Sequence, residues 1–288
     1  MKVIRDTKEA RETVLRPFRL ATPLLSPAVQ EGIKRLFGKA LTAEEVVRLI
    51  LDEVRREGDA ALRYYTLHLD GVEVKKFEVG AAEVESAIGK LPAELVEALE
   101  MAAHRVRAFH QRELAHGWMD SKEGIGQLLR PLQRAGIYVP GGRAAYPSTV
   151  LMTAIPAKVA GVKEVVMCTP PARNGEVSPL VLAAAHLSGV DRVFKVGGAQ
   201  AIGAMAYGTE SVPRVDKVCG PGNIFVALAK RMVYGDVGID ALQGPTETLL
   251  VADEGADPSF CALDLLAQAE HDPLASPILI TTSDSLAR

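Results

Sequence analysis

Gln268-Ala-Glu-His271 places an amide oxygen and an imidazole three residues apart at the end of a long helical pattern, on one helix face and within reach of each other. Such a pair can hold a cation or a polar ligand from two sides. Imidazole is a common metal ligand and a carboxamide a poor one. A His in a last helical turn also suits the negative end of the helix dipole, so the pair alone leaves both readings open. Upstream, three loops share one grammar of strand, glycines and helix: Tyr138-Val-Pro-Gly-Gly-Arg143, Val196-Gly-Gly-Ala-Gln-Ala201 and Cys219-Gly-Pro-Gly-Asn223. Glycines there let backbone N–H groups approach a ligand, and the helix starts behind them favour negative charge. That is a bed for a phosphate-bearing cofactor, although each loop taken singly is also an ordinary tight turn. None is a full fingerprint: Gly198 and Gly203 match only the last two glycines of G-x-G-x-x-G, and no Walker lysine follows.

Other polar residues carry two readings each. Asn223 can meet a ligand or simply cap the following helix. Gln200 sits at a helix start, and Tyr138 closes a strand, where it can also be a half-buried core aromatic. Thr246, in Gly244-Pro-Thr-Glu247, can present its hydroxyl to a ligand or cap a turn. His104, His110 and His116 do not stack on one helix face; with His68 and His186 they read as structural or surface residues. No serine-hydrolase elbow, H-E-x-x-H or EF-hand loop occurs.

The elements that must position these residues change character along the chain. Residues 1–30 are polar and broken by Pro17, Pro23 and Pro27, and read as an N-terminal arm. Thr42-Ala-Glu-Glu45 is a capping-box pattern, followed by Val46, Val47, Ile50, Leu51 and Val54 at helical spacing, with Gly58 as a stop. Helices are also expected over Ala60–Leu67 and after Pro92, the latter with Leu95, Leu99, Ala102, Val106 and Phe109 on one face. From Gly136 short β-rich runs alternate with helices: strands at Ile137–Val139, Glu164–Met167, Arg192–Val196, Val215–Val218, Thr248–Val251 and Pro277–Thr282, helices at about Val150–Val159, Pro179–Leu187, Ala199–Tyr207, Ile224–Val233 and Asp257–Glu270. Such alternation marks βαβ units and a mainly parallel sheet, an α/β fold. In a parallel sheet the three glycine loops leave carboxyl ends of strands and gather on one edge. Tyr138, Gln200 and Asn223 should therefore line one cleft.

At 288 residues with 48% apolar and 24% charged side chains, the chain has globular composition and room for two domains. A net charge of −3 and a pI near 6.1 suggest no nucleic-acid or anionic-membrane surface. Lys and Arg are dispersed and read as solvated faces. Three widely spaced cysteines without C-x-x-C fit a reducing cytosol rather than a disulfide framework. No signal-peptide h-region and no membrane-length apolar run is present, so a cytoplasmic protein is expected.

From Ala135 to His271 the chain closely resembles histidinol dehydrogenase. The matching stretches are AGIYVPGG at 135–142, PSTVLMTAIPAKVAGV at 147–162, VGGAQAIGAMAYGTESVPRVDKVCGPGN at 196–223, and IDALQGPTETLLVAD followed by LLAQAEH. The resemblance implies a cytoplasmic homodimer that uses NAD and zinc to oxidise L-histidinol to L-histidine through the aldehyde, in histidine biosynthesis. It implies two incomplete Rossmann-like domains, one inserted in the other; the change of pattern places them at 31–137 with 247–288, and at 138–246. It makes Tyr138, Gln200 and Asn223 NAD-binding residues, Gln268 and His271 zinc ligands that also face the substrate, and Thr246 a substrate contact. Two positions depart from the family pattern: Thr246 stands where Ser is common, and Gln243 replaces a small residue. The family's adjacent Glu–His pair, its Asp zinc ligand and its near-C-terminal His have no counterpart in residues 1–288. The chain therefore reads as the front part of such an enzyme, with no catalytic residue assigned, no histidinol oxidation expected of it alone, and weak or absent zinc binding. Two alternatives are a related zinc- and NAD-dependent dehydrogenase of another polar alcohol, and a non-catalytic nucleotide-binding α/β module.

Overall fold

The computed structural model describes residues 2–14, 25–141, 145–242, 246–271 and 275–288, without the side chain of His271. In chain order the elements begin with α1 (Thr7–Glu12), α2 (Pro27–Phe37), α3 (Ala43–Glu57) and α4 (Asp59–Tyr65), which runs into a π-helical turn, Thr66–Asp70. Then come α5 (Ala81–Ser86), α6 (Ala93–Gln111), and a hairpin of β1 (Trp118–Asp120) and β2 (Ile125–Gln127). The alternating part holds β3 (Arg134–Tyr138), α7 (Pro147–Val159), β4 (Glu164–Thr169), α8 (Pro179–Ser188), β5 (Arg192–Lys195), α9 (Gly198–Tyr207), β6 (Lys217–Cys219), α10 (Ile224–Val233) and β7 (Gly238–Ile239). The last elements are β8 (Glu247–Ala252), α11 (Pro258–His271) and β9 (Ser276–Thr281).

The chain divides into two compact units, residues 24–242 and residues 1–23 with 243–288. In the larger unit the described strands form a five-stranded sheet, ordered β5-β4-β3-β6-β7, with every pairing parallel. Numbered from β3, the order is 3-2-1-4-5, that of a Rossmann fold, and the direction of winding reverses between β3 and β6. Strands buried on both faces read as apolar runs, as Val165-Val-Met-Cys168 does, because helices cover both sides.

One unit is inserted in the other, but the boundaries expected at 31–137 and 138–246 are not those of the structure. The helices before Gly136 are the cover of the sheet after it. Thr42 and Glu45 form the capping box that starts α3, and Val46, Val47, Ile50, Leu51 and Val54 are all buried. Each such side chain contributes roughly 1.5–3 kcal/mol on burial. α3 approaches α9 at Gly203, where a Cβ would lie 3.0 Å from Leu51 Cδ2. Leu99 and Ala103 of α6 join the cluster of Ile137, Val165 and Leu182. Phe77–Val79 is stitched to the edge at β5: the Val79 amide donates to Val193 O at 2.9 Å, and Arg192 grips Glu78 through two bonds of 2.7 and 3.0 Å. The change of pattern at Gly136 marks a change of element type rather than a domain boundary. Of the apolar face expected on α6, Phe109 is 61% exposed, so that face is only partly used.

The smaller unit is one βαβ crossover. β8 and β9 pair in parallel and α11 packs on them. α1, capped by Asp6, belongs to the same unit, where Arg5 pairs with Asp284 at 2.7 Å. The arm expected over 1–30 is therefore split: α1 goes with β8 and β9, and α2 goes with the larger unit.

Candidate active-site cleft

Along the carboxyl edge of the five-stranded sheet a cavity of about 630 Å³ opens, within the range of small-molecule sites. Tyr138, Gln200 and Asn223 all line it, together with Gly141 and Gly198. Each reaches it by a different device. Tyr138 ends β3, is 4% exposed, and its hydroxyl accepts the Gly198 amide at 3.1 Å. Burial pushes its phenol up to about 12, against the opposing pull of the Gly198 amide, so it is neutral at pH 7. Gly198 starts α9 at φ +64, a left-handed conformation that suits glycine. Gln200, two residues further on, is 1% exposed, and its Oε1 is buried without a hydrogen-bond partner. An orphaned buried acceptor costs on the order of 1–3 kcal/mol unless something donates to it. Asn223 caps α10: its Oδ1 accepts the amides of Phe225 and Val226 at 3.1 and 3.2 Å. The capping role is real, and it leaves the amide nitrogen as the group Asn223 can offer a ligand.

The loop between β6 and α10 is pinned from beneath. Asp240 Oδ2 accepts the Gly220 amide at 2.8 Å, and Lys230 Nζ donates to Gly220 O at 2.9 Å and also pairs with Asp240. Lys230 is 1% exposed, so at least one lysine is not on a solvated face as its type suggests. The Asp240 carboxyl is pulled upward by burial, but hydrogen bonds from Lys230 and from the Gly220 and Ala241 amides outweigh this and hold it below the usual range. Gly141 and Gly197 bring two of the glycine loops against Pro170, where a Cβ would stand 2.7 and 2.5 Å from its ring.

Two further groups line the cavity: His68, expected to be a structural or surface residue, and Asp70, which the sequence did not single out. His68 stacks on Tyr64 with ring centroids 4.1 Å apart, and Asp70 carries a buried Oδ2 with no partner. Burial raises the Asp70 carboxyl to about 6. The helix expected over Ala60–Leu67 stops short of Asp70, and only the fold shows that Asp70 faces a cleft. The three cysteines are free. Burial raises the thiols of Cys168, to about 12, and Cys219, so neither suits a thiolate nucleophile.

The family model for histidinol dehydrogenase matches residues 35–288. The histidinol dehydrogenase of Dehalococcoides mccartyi (strain CBDB1) is 51% identical over 288 residues, all of this chain and 65% of the relative. The chain belongs to the histidinol dehydrogenase family. Deinococcus radiodurans histidinol dehydrogenase is 52% identical over 281 residues, covering 96% of this chain and 63% of its own length. The crystal structure of histidinol dehydrogenase from Elizabethkingia anophelis superposes with a TM-score of 0.84 at 35% identity, over 99% of this chain and 63% of that one. The chain thus spans about two thirds of the length of its histidinol dehydrogenase relatives.

Thr246, Gln268 and His271 lie in the smaller unit. Thr246 is exposed just before β8, and its carbonyl accepts the Ser276 amide of β9 at 2.9 Å. α11 runs back between these parallel strands, so its last turn, with half-buried Gln268 and then His271, returns to the edge where Thr246 stands. The topology gathers the three positions at one end of the unit. Among the described residues no group of three or more His, Cys, Asp or Glu is placed to hold a metal ion. Gln243 lies outside the described residues.

Proposed function

We propose that this chain carries the NAD-binding part of a histidinol dehydrogenase, which oxidises L-histidinol to L-histidine. One observation carries the reading. The strand order reverses between β3 and β6, and Tyr138, Gln200 and Asn223 line the cavity at that crevice, where open α/β sheets bind their ligands. The residues fit a dinucleotide: Gln200 Oε1 awaits a donor, and glycines bare the backbone on three loops. When bound, NAD supplies the hydride acceptor. The chain's own part is to seat it. Tyr138 holds the Gly198 turn by accepting its amide and keeps a phenolic proton to give to a ligand oxygen. Asn223 fixes the start of α10 and offers its amide, and the buried wall around Gln200 excludes water.

Calorimetry with NAD tests this. Binding is expected, and Gln200→Leu is expected to weaken it about tenfold or more, since the variant loses one buried acceptor for a ligand donor. An unchanged affinity in the variant, or no binding by the parent, would sink the reading.

Thr246 as a substrate contact, and Gln268 and His271 facing substrate, complete the reading for L-histidinol; their shared edge in the smaller unit supports it. Zinc does not fit the donors of this chain by themselves. Gln268 and His271 are two ligands where catalytic zinc takes three from protein, and a neutral amide oxygen is a poor one. Dialysed protein is therefore expected to hold well under one zinc per chain by metal analysis. A stoichiometric zinc that is lost on His271→Ala would overturn this. We place the protein in the cytoplasm, where free thiols such as Cys168, Cys219 and Cys261 persist, and as a homodimer in its full-length form. Among the described residues no helix is long and apolar enough to cross a membrane.

A further inference from the structure

A Rossmann site usually takes the ribose of its adenosine half with an Asp or Glu at the carboxyl end of the second strand. Here the second strand is β4, and it ends Cys168-Thr169 before Pro170 and Pro171, with no acid. The first acid beyond it, Glu176, is exposed and bonded to Asn174 at 3.1 Å, and does not line the cavity. Asp70 does line it, from the π-helical turn that closes α4 against the cleft. Its Oδ2 is buried and unpartnered. Among the described residues, buried side-chain atoms without a partner are Asp70 Oδ2, Gln200 Oε1 and Thr66 Oγ1, and the first two belong to residues of this one cavity. A carboxylate accepts only, so what is lacking at Asp70 is a donor, and a vicinal diol brings two. Beside Asp70 the same segment lines the cavity with Leu69 and with the stacked rings of Tyr64 and His68. A ribose held at Asp70 therefore has flat, largely apolar groups next to it, as a purine requires.

We propose that Asp70 binds the adenosine ribose of the dinucleotide and thereby excludes a 2′-phosphate; this rests on the NAD reading above. The covering helical segment supplies the carboxylate that the second strand lacks. A 2′-phosphate would replace a hydroxyl donor with negative charge against the half-buried Asp70 carboxylate, so NADP is rejected. Burial raises the Asp70 carboxyl to about 6. Diol hydrogen bonds favour the ionised form.

The test is calorimetry of NAD, NADP, ADP and nicotinamide mononucleotide with the parent protein, Asp70→Asn and Asp70→Ala. Both variants are expected to fold, because each removes a carboxylate whose Oδ2 is buried without a partner. Their melting at pH 8 should match or exceed that of the parent. The parent is expected to bind NAD at least tenfold tighter than NADP. Both variants should lose about tenfold or more for NAD and ADP, with nicotinamide mononucleotide within about twofold. The preference for NAD over NADP should largely disappear in Asp70→Ala. NAD and ADP affinities unchanged in both variants would overturn the role of Asp70. Loss confined to nicotinamide mononucleotide would overturn the assignment to the adenosine ribose. No NAD binding by the parent would fall on the NAD reading itself, and is distinguished by that control.

Discussion

Lys230→Met is expected to destabilise the protein by about 3–5 kcal/mol, the usual cost of removing one partner from a buried ion pair. The substitution keeps the length and apolar stem of the side chain and deletes only the ammonium group, at a site 1% exposed. What is lost is the pairing with Asp240, whose side chain is 27% exposed, and a 2.9 Å donor to the Gly220 carbonyl. Asp240 keeps the Gly220 and Ala241 amides, which places the effect nearer the lower figure. The sign with pH follows from Asp240. Its carboxyl is held below the usual range in the fold, so the pair's stabilisation is present above the unfolded value of about 4 and is lost as pH falls through the folded one. Urea titrations should therefore show a gap between parent and variant that is full at pH 7 and narrows below about pH 4. The double variant Lys230→Met, Asp240→Leu should recover much of the loss, since no charge is then left buried. A Lys230→Met protein as stable as its parent would mean that the pair does not hold this loop.

That lysine also shows where the sequence stops being legible. Local chemistry reads well. Thr42 and Glu45 announce the start of α3, because a capping box is closed by groups three residues apart. The alternation after Gly136 yields the parallel sheet, and with it the gathering of Tyr138, Gln200 and Asn223 on one edge. β7 is two residues long and pairs only through Gly238 and Ile239, too short for any period to show. α2 carried legible signals, with Ser26 as cap, Pro27 in the first turn and Gly38 at its end, but the prolines before it suggested an arm. What is long-range stays hidden. Lys230 sits in a helical Ala-Lys-Arg-Met run that looks solvated, and its burial is decided by the glycine loop ten residues earlier and by Asp240 ten later. The packing of Val46 to Val54 on α9 likewise set the unit boundary at Leu24 rather than near 138, and no periodicity within α3 says which sheet it will cover. Asp70 is the same case in the cleft itself. The helix expected before it stops at Leu67, and only its neighbours in space describe a binding site.

Gly220→Ala is expected to be comparably severe, and for a reason that separates cleft from backbone. Gly220 has φ +114, where an L side chain is strained by about 1–3 kcal/mol. A Cβ there would also stand 2.2 Å from the Tyr138 carbonyl oxygen and 3.1 Å from its carbonyl carbon. Neither atom can swing aside as a side chain would. Tyr138 is the last residue of β3, and the Gly220 amide is held by Asp240, so the ends of β3 and β6 must be forced apart. Overpacking of that kind adds a further 1–3 kcal/mol or so. Displacing Tyr138 moves the hydroxyl off the Gly198 amide, and the same push travels along the loop to Asn223, so NAD affinity should fall about tenfold or more. Gly235 supplies the control. Its φ is +110, close to that of Gly220, but a Cβ there would meet nothing within 4 Å. Gly235→Ala should therefore show the backbone strain alone, about 1–3 kcal/mol, with NAD affinity unchanged. Thermal unfolding and NAD calorimetry on both variants give the answer. If Gly220→Ala matches Gly235→Ala in both measurements, the contact between the two strand ends does not shape the cleft.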